Sequence, residues 1–204
     1  GSGRSPRRDR RGRRPPAGLR DARERFSKER GVPVVEVIVP AVRRAAALSR
    51  NRRVGVIGTV ATVTSGAYDD ALAGAPDVRV TSQACPRFVE LVEAGVTSGP
   101  EVVAVAREYL APLKDAGVDT VILGCTHYPM LAGAIGYVMG EDVTLVDSAT
   151  ETAIDVYRAL AASGIEAPTD TIAEHRFFAT GEHERFEALA QRFLGPVVTK
   201  VESL

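Results

Sequence analysis

The chain has 204 residues, of which 45% are hydrophobic and 25% are charged, and these proportions are ordinary for a globular protein. The sequence has no apolar run near the roughly 18–20 residues that span a bilayer, no signal-peptide core at its amino terminus, and only two cysteines. We therefore expect a cytoplasmic protein with no disulfide scaffold and no membrane association, large enough for one domain or for one small domain plus part of another.

The net charge of zero conceals an uneven distribution of charge. Residues 1–30 carry twelve Arg or Lys against four Asp or Glu, a net charge of +8, and residues 4–14 include seven arginines and no large apolar side chain. Such a block cannot bury enough surface to offset its ordering entropy, so residues 1–18 are predicted to form a disordered arm. Without interleaved aromatic residues or a folded reading element, this arm supports at most weak, nonspecific binding of nucleic acid.

From Leu19 onward, hydrophobic periodicity indicates helices that alternate with strands. The predicted helices cover residues 19–26, 40–50, 69–73, 86–94, 101–116, 128–139, 148–163 and 184–194. The predicted strands cover residues 32–39, 54–58, 78–81, 119–123, 143–146, 175–179 and 197–201. This alternation predicts an α/β fold with a parallel sheet and right-handed crossovers.

The strongest candidate for chemistry lies at the end of the strand predicted at residues 119–123. The strand is followed by Gly124 and then by a thiol, a hydroxyl and an imidazole on Cys125, Thr126 and His127. Open α/β sheets bind ligands at the carboxyl ends of their strands, and a thiol near an imidazole and exposed N–H groups can act as a base or nucleophile. The alternative is a half-buried cysteine beside a surface histidine. Zinc binding is less favoured, because Cys-x-His is too short a spacing and no second pair lies nearby.

Further candidates follow the strands predicted at residues 54–58 and 78–81. Thr59 and Thr62, with nearby glycines, either cradle a carboxylate or phosphate at a helix start or simply cap that helix. Cys85 is predicted to pack as a small hydrophobic residue. Glu93, near the end of a helix, faces either solvent or a substrate, and the local sequence favours solvent. His175 and His183 have no partner spacing and are predicted to lie at the surface.

Several of these segments together resemble the glutamate racemases of the aspartate/glutamate racemase family. The matching segments, in order, are VGVIGTVATVTSGAY (54–68), QACP (83–86), LVE (91–93), LGCTHYP (123–129), LVDS (145–148), ETA (151–153) and FATG (178–181). Related racemases that act on aspartate typically carry Glu after Cys-Thr, so His127 favours glutamate. The resemblance extends from about Leu19 to the end of the chain.

The resemblance implies a cofactor-independent racemase of two similar α/β lobes with glutamate held between them, making D-glutamate for peptidoglycan. It implies one complete lobe at residues 41–147 and an incomplete second lobe, made of a remnant at residues 19–40 and a returning segment at residues 148–204. A homodimer is also possible on this basis. One cysteine from each lobe would face the substrate α-carbon, one removing a proton and the other returning a proton to the opposite face.

Carried over onto this sequence, the resemblance assigns acid/base chemistry to Cys125, with His127 assisting the thiol. The substrate-contacting pair of the family is matched by Thr126 and His127, and a carboxylate at the edge of the site is matched by Glu93. We expect Thr59 and Thr62 to contact the substrate as well. Cys85 matches a family cysteine that is not the proton-transfer base.

The amino-terminal part of the chain departs from the family pattern. The family opens with a strand and an Asp-Ser turn, then a Pro-Tyr-Gly loop, then a strand ending in Cys-Asn-Thr that bears the first catalytic cysteine, and none of these occurs here. The hypothesis is an amino-terminally truncated racemase with unrelated residues at its start, which reading the upstream nucleotide sequence would test. Two alternatives remain: an inactive remnant, and a nonenzymatic protein that associates with nucleic acid through its basic arm.

Overall fold

The computed structural model describes residues 25–31, 33–75 and 77–203. The arm predicted at residues 1–18 lies outside the described residues, and so does most of the helix predicted at 19–26, although residues 25–30 are helical. The chain divides into two compact units, one ending at Ala162 and the other comprising Ser163–Leu204. In the described part of the chain, no helix is both long enough and apolar enough to cross a membrane.

The first unit is built around a four-stranded, entirely parallel sheet, which confirms the predicted fold class. The strands are β1 (Arg53–Gly58), β2 (Arg79–Ala84), β3 (Thr120–Leu123) and β4 (Thr144–Asp147), in the spatial order β2-β1-β3-β4. From β1 the chain moves to one side of the sheet to form β2, and it then forms β3 and β4 on the other side. The carboxyl ends of β1 and β3 therefore flank a topological switch point, where open α/β sheets bind ligands.

The central strands are buried on both faces. Val54, Val56, Val121 and Ile122 are each no more than 1% exposed. Gly55 permits close packing of a helix on β1, since a Cβ there would stand 2.6 Å from a methyl carbon of Leu113. The continuous apolar runs of β1 and β3 thus reflect helices on both faces of the sheet.

Besides the helical residues 25–30, seven helices lie in the described part of the first unit, and their bounds agree with the predicted ones more closely after residue 85 than before it. They are α1 (Ile38–Leu48), α2 (Val60–Ser65), α3 (Ala67–Leu72), α4 (Pro86–Ala94), α5 (Pro100–Asp115), α6 (Ala132–Met139) and α7 (Ser148–Ser163). The helix predicted at 128–139 is divided, because its first turn, Tyr128–Leu131, is a 3-10 helix. Helix α7 leaves large apolar side chains exposed: Ile154, Val156, Tyr157 and Leu160.

The strand predicted at residues 32–39 is wrong. Residues 33–36 have no regular secondary structure, and α1 already begins at Ile38. The carboxylate of Glu36 accepts hydrogen bonds from the N–H groups of Ile38 (2.7 Å) and Val39 (2.8 Å), which caps the start of the helix. Pro40 fits in the first helical turn, where a missing N–H costs nothing. The β-branched residues here therefore do not form a strand, because strand formation also requires a neighbour to pair with.

The second unit contains two short parallel strands and one long helix. Strands β5 (Phe177–Ala179) and β6 (Val201–Ser203) pair, and α8 (His183–Leu194) packs with them around Ala190, Val198 and Val201. The last strand begins later than the predicted 197–201, because residues Gly195–Val197 form a 3-10 turn.

Candidate active site

Cys125 lies at the carboxyl edge of the four-stranded sheet, two residues after the end of β3. The thiol is half-buried, so it is neither sealed in the core nor fully in solvent. The preceding residue, Gly124, still pairs with β1 by donating its N–H to the carbonyl oxygen of Ile57 at 2.8 Å. A side chain at Gly124 would collide with that oxygen at 2.9 Å and with the Tyr68 ring at 3.0 Å. The sheet therefore fixes the backbone directly before the thiol.

The surroundings of the Cys125 sulfur act on its pKa in opposite directions. Burial raises the pKa of the thiol above its ordinary value, and this effect dominates. Hydrogen bonds from the N–H groups of His127 and Tyr128, and from the Thr126 side chain, partly offset the rise. The net effect is a pKa of the Cys125 thiol above its ordinary value, with the hydrogen-bond donors of the loop acting against burial.

His127 lies between the Cys125 thiol and the carboxylate of Glu93, which belongs to helix α4. Its Nδ1 atom is 3.9 Å from the sulfur of Cys125 and 3.3 Å from Oγ1 of Thr126, while its Nε2 atom is 3.4 Å from Oε1 of Glu93. Because an ionised carboxylate only accepts hydrogen bonds, we assign the ring proton to Nε2, which leaves Nδ1 as an acceptor facing the thiol and the hydroxyl. The arrangement is therefore a carboxylate–imidazole–thiol series suited to moving a proton at the sulfur.

Glu93 is not a solvent-facing helix-end residue, in contrast to what its local sequence favours. It lies in the last turn of α4, its side chain is 29% exposed, and it faces His127. The Phe88 ring in the same helix packs edge-on against the Tyr128 ring, with centroids 5.4 Å apart. This contact brings α4 against the turn that follows Cys125, and it explains why the carboxylate and the imidazole meet.

Cys85 has the structural role predicted for it. It is fully buried, and burial raises the pKa of its thiol to about 12. Its carbonyl oxygen accepts a hydrogen bond from the Tyr128 hydroxyl at 2.8 Å. Tyr128 therefore holds the turn after Cys125 against α4, a role that the sequence analysis missed. The only sequence signal for this role is its position directly after Cys-Thr-His.

Thr59 and Thr62 lie after β1, at the same edge of the sheet as Cys125. Oγ1 of Thr59 accepts a hydrogen bond from the Thr62 N–H at 3.2 Å, and the two hydroxyl oxygens are 2.9 Å apart. Thr59 is thus the N-cap of α2, which supports the capping alternative. Each hydroxyl is only partly buried, so contact with a ligand stays a prediction.

Tyr68 and Ser148 were also missed by the sequence reasoning, although both adjoin the Cys125 loop. The Ser148 hydroxyl donates to the carbonyl oxygen of Leu123 at 2.8 Å, and the ring of the buried Tyr68 lies against Gly124. Nothing in the local sequence pattern connects residues that lie 80 positions apart.

The remaining candidates, His175 and His183, belong to the second unit. His175 and His183 are exposed, as predicted. In the part of the chain that the structure describes, no cluster of three or more His, Cys, Asp and Glu residues has the arrangement of a metal site.

Comparison with known proteins connects this geometry to one family. The family model described as Asp/Glu/Hydantoin racemase matches residues 16–156. Glutamate racemase of Beutenbergia cavernae is 60% identical over 194 residues, covering 91% of this chain and 66% of the relative.

Two solved structures extend the comparison to the fold. Glutamate racemase from Thermus thermophilus has a TM-score of 0.76 and 43% identity, covering 92% of this chain and 67% of that protein. Glutamate racemase from Francisella tularensis, solved in complex with D-glutamate, has a TM-score of 0.78 and 32% identity, covering 88% of this chain and 66% of that protein. The chain therefore spans about two thirds of the length of these relatives.

Proposed function

Because this chain belongs to the Asp/Glu/hydantoin racemase family, we propose that it carries one of the two proton-transfer sites of a glutamate racemase, with Cys125 as the acid/base group. The observation that carries the proposal is the position of the sulfur at the carboxyl end of β3, 3.9 Å from Nδ1 of His127. Glutamate is the proposed substrate because the relatives are glutamate racemases and the Francisella enzyme was solved with D-glutamate bound. D-Glutamate would serve peptidoglycan synthesis.

The proposed step is a proton transfer between carbon and sulfur. The Cys125 thiolate removes the α-hydrogen of glutamate as a proton, which gives a neutral thiol and a carbanion whose charge spreads onto the substrate carboxylate. His127 accepts the thiol proton beforehand to generate the thiolate, and Glu93 orients the imidazole through Nε2. Return of a proton from the same thiol restores the original enantiomer, whereas return from the opposite face inverts it.

Binding of the substrate carboxylate is assigned to hydroxyl and N–H donors at the sheet edge. The proposed contacts are Thr126 beside the thiol, and Thr59 with Thr62 at the end of the adjacent strand. Donors of this kind stabilise the charge that develops on the carboxylate in the transition state.

These 204 residues contain one other cysteine, and it is unsuited to the second transfer. Cys85 is fully buried, and it is hydrogen-bonded through its carbonyl oxygen to Tyr128. Inversion of the α-carbon needs a second acid on the opposite face. The 204-residue chain by itself is therefore expected to exchange the α-hydrogen of one enantiomer with solvent but not to racemise freely.

The experiment that tests the proposal follows deuterium uptake from D₂O into L-glutamate and D-glutamate separately. We expect uptake into one enantiomer, abolished in Cys125→Ala and retained in the matched variant Cys85→Ala. Brisk racemisation by Cys125→Ala would contradict the assignment of Cys125 as one of two thiol bases. Absence of uptake into either enantiomer by the folded wild-type chain would contradict the proposed function of this chain.

Formation of a homodimer and binding of nucleic acid by the basic arm both stay predictions. Sedimentation of the purified chain would test for a homodimer. Salt-dependent retention on DNA that disappears when residues 1–18 are deleted would support nucleic-acid binding by the basic arm.

A further inference from the structure

We propose that the Tyr128 hydroxyl docks the turn that carries Cys125 onto the start of helix α4, and so decides how the His127 imidazole is oriented between the thiol and Glu93. The relevance of this role to catalysis rests on the proposed function. The orientation of the imidazole can nevertheless be measured without any substrate. Tyr128 is a positioning residue, since its side chain is fully buried and acts through the backbone and through α4.

The first observation is that the backbone of Tyr128 is bonded to the residue that carries the thiol. The N–H of Tyr128 donates to the carbonyl oxygen of Cys125 at 3.2 Å, which closes a tight turn over residues 125–128. His127 lies inside this turn, and its carbonyl oxygen accepts from the N–H of Met130 at 3.1 Å. A movement of Tyr128 is therefore transmitted to the residues that bear the imidazole and the thiol.

The second observation is that the side chain of Tyr128 is attached to a fixed part of the backbone. Its hydroxyl donates to the carbonyl oxygen of Cys85 at 2.8 Å, and the same oxygen accepts from the N–H of Phe88 at 3.1 Å. The N–H of Cys85 donates to the carbonyl oxygen of Gly58, the last residue of β1, at 2.9 Å. The acceptor of the hydroxyl is thus tied to the central sheet as well as to α4.

The third observation is that α4 holds two consecutive residues of the turn at two separate points. Cys85 directly precedes the helix and accepts from Tyr128, whereas Glu93 lies in the last turn of the helix, 3.4 Å from Nε2 of His127. At 1.5 Å per residue, these two points are about 12 Å apart along the helix. Two contacts at this separation fix the direction of the turn, whereas one contact alone would fix only its position.

Loss of the hydroxyl should disturb this orientation more than it disturbs the fold. In Tyr128→Phe the ring can still pack edge-on against Phe88, and the Cys85 carbonyl oxygen keeps its bond from the Phe88 N–H, so that oxygen is not left without a partner. We therefore expect the variant to fold, with a melting temperature about 2–4 °C lower. The turn, by contrast, loses the hydrogen bond that fixes its distance from the start of α4.

The test records the nitrogen NMR signals of the histidine rings of the folded chain at about pH 8, where free imidazole is neutral. The chain has three histidines, and the exposed His175 and His183 serve as internal references. For wild-type His127 we expect two well-separated signals, because the proton stays on Nε2 facing Glu93. In Tyr128→Phe the two signals should draw together, because a ring that no longer faces the carboxylate exchanges its proton between both nitrogens.

A second measurement, which does need the substrate, follows deuterium uptake into glutamate. For Tyr128→Phe we expect kcat to fall about tenfold while KM stays within about twofold of wild type, because a misplaced base slows the transfer without weakening binding. The matched control is Tyr137→Phe, which removes the hydroxyl from a 69% exposed ring on α6 and should change neither the ring signals nor kcat.

Unchanged His127 signals in folded Tyr128→Phe would overturn the proposal, even if the melting temperature falls, because a merely structural role gives that result. Averaged His127 signals in the wild-type chain would overturn it as well, whether or not the variant folds. Shifted signals with an unchanged kcat would refute the link from ring orientation to catalysis. Lack of deuterium uptake by the wild-type chain would refute the proposed function while leaving the result on ring orientation intact.

Discussion

The Glu93 carboxylate lies 3.4 Å from Nε2 of His127, although the two residues belong to different elements and are 34 positions apart in the sequence. The contact exists because α4 packs on the Tyr128–Leu131 turn through the edge-on contact between Phe88 and Tyr128. It fixes which ring nitrogen of His127 faces the thiol, and so it links a helix end to the acid/base chemistry.

Replacing Glu93 by Gln tests that link. The amide removes the negative charge beside Nε2 and can present a donor instead of an acceptor, so the imidazole loses its fixed orientation. We expect the rate of deuterium uptake into glutamate to fall by at least about tenfold, mainly in kcat. Glu90→Gln, an exposed position on the same helix, is the matched control and should leave the rate unchanged. Equal rates for the two variants would mean that the carboxylate of Glu93 does not assist the transfer.

Replacing Gly124 by Ala tests whether close packing behind the loop matters. An added Cβ would stand 2.9 Å from the Ile57 carbonyl oxygen and 3.0 Å from the Tyr68 ring, and both neighbours belong to the buried core. We expect a loss of about 1–3 kcal/mol in the free energy of unfolding, together with slower deuterium uptake, because the backbone before Cys125 must shift.

The control for this variant is Gly133→Ala in α6, where nothing lies within 4 Å of the added carbon. That change should be neutral or stabilise the fold by up to about 1 kcal/mol, since alanine is the better helix former. Denaturant unfolding of both variants gives the comparison, and a Gly124→Ala protein as stable and active as Gly133→Ala would contradict the packing argument.

Replacing Cys85 by Ala separates the two thiols of the chain. Because the Cys85 sulfur is fully buried, its loss removes packing but no proton-transfer group. We expect destabilisation of about 1 kcal/mol and an unchanged rate of deuterium uptake per folded molecule. A loss of uptake with the fold intact would show that Cys85 takes part in the chemistry and would refute its structural assignment.

The part of the site that sequence could predict is the part encoded locally. The apolar run of β3 ends at Gly124 and places Cys125, Thr126 and His127 at the sheet edge, because parallel strands bind ligands at their carboxyl ends. The same local reasoning included a helix cap among its two alternatives for Thr59, and Thr59 is the N-cap of α2.

What sequence could not predict depends on tertiary contacts. Tyr68 lies against Gly124 and Ser148 donates to the Leu123 carbonyl only because the tertiary fold brings them there, and no periodicity encodes that. The strand predicted at residues 32–39 is wrong for the related reason that β-branched residues require a partner strand, and the Glu36 carboxylate instead caps the start of α1 at Ile38.

Asp119 anchors the opposite edge of the sheet, and its protonation should govern stability in acid. One oxygen accepts from the hydroxyls of Ser49 (2.7 Å) and Thr120 (3.0 Å), and the other accepts from the N–H groups of Arg50 and Asn51 (2.7 Å each). Burial alone would raise the pKa of Asp119, but these four hydrogen bonds lower it below its usual range. A carboxylate with a lowered pKa contributes stability above its unfolded-state pKa of about 3.9, and that contribution is lost as the pH falls through the folded-state value.

We therefore expect Asp119→Asn to lose about 2–3 kcal/mol at pH 7, because the amide nitrogen faces donors that it cannot accept from. The loss should shrink as the pH is lowered below about 4, since the wild-type protein then gives up the same contribution. Urea unfolding at pH 7 and at about pH 3.5 measures this, with Asp115→Asn at an exposed position as the control, expected to stay within about 0.5 kcal/mol of wild type. A difference between wild type and Asp119→Asn that stays constant across this pH range would mean that hydrogen bonding to the ionised carboxylate is not the source of its contribution.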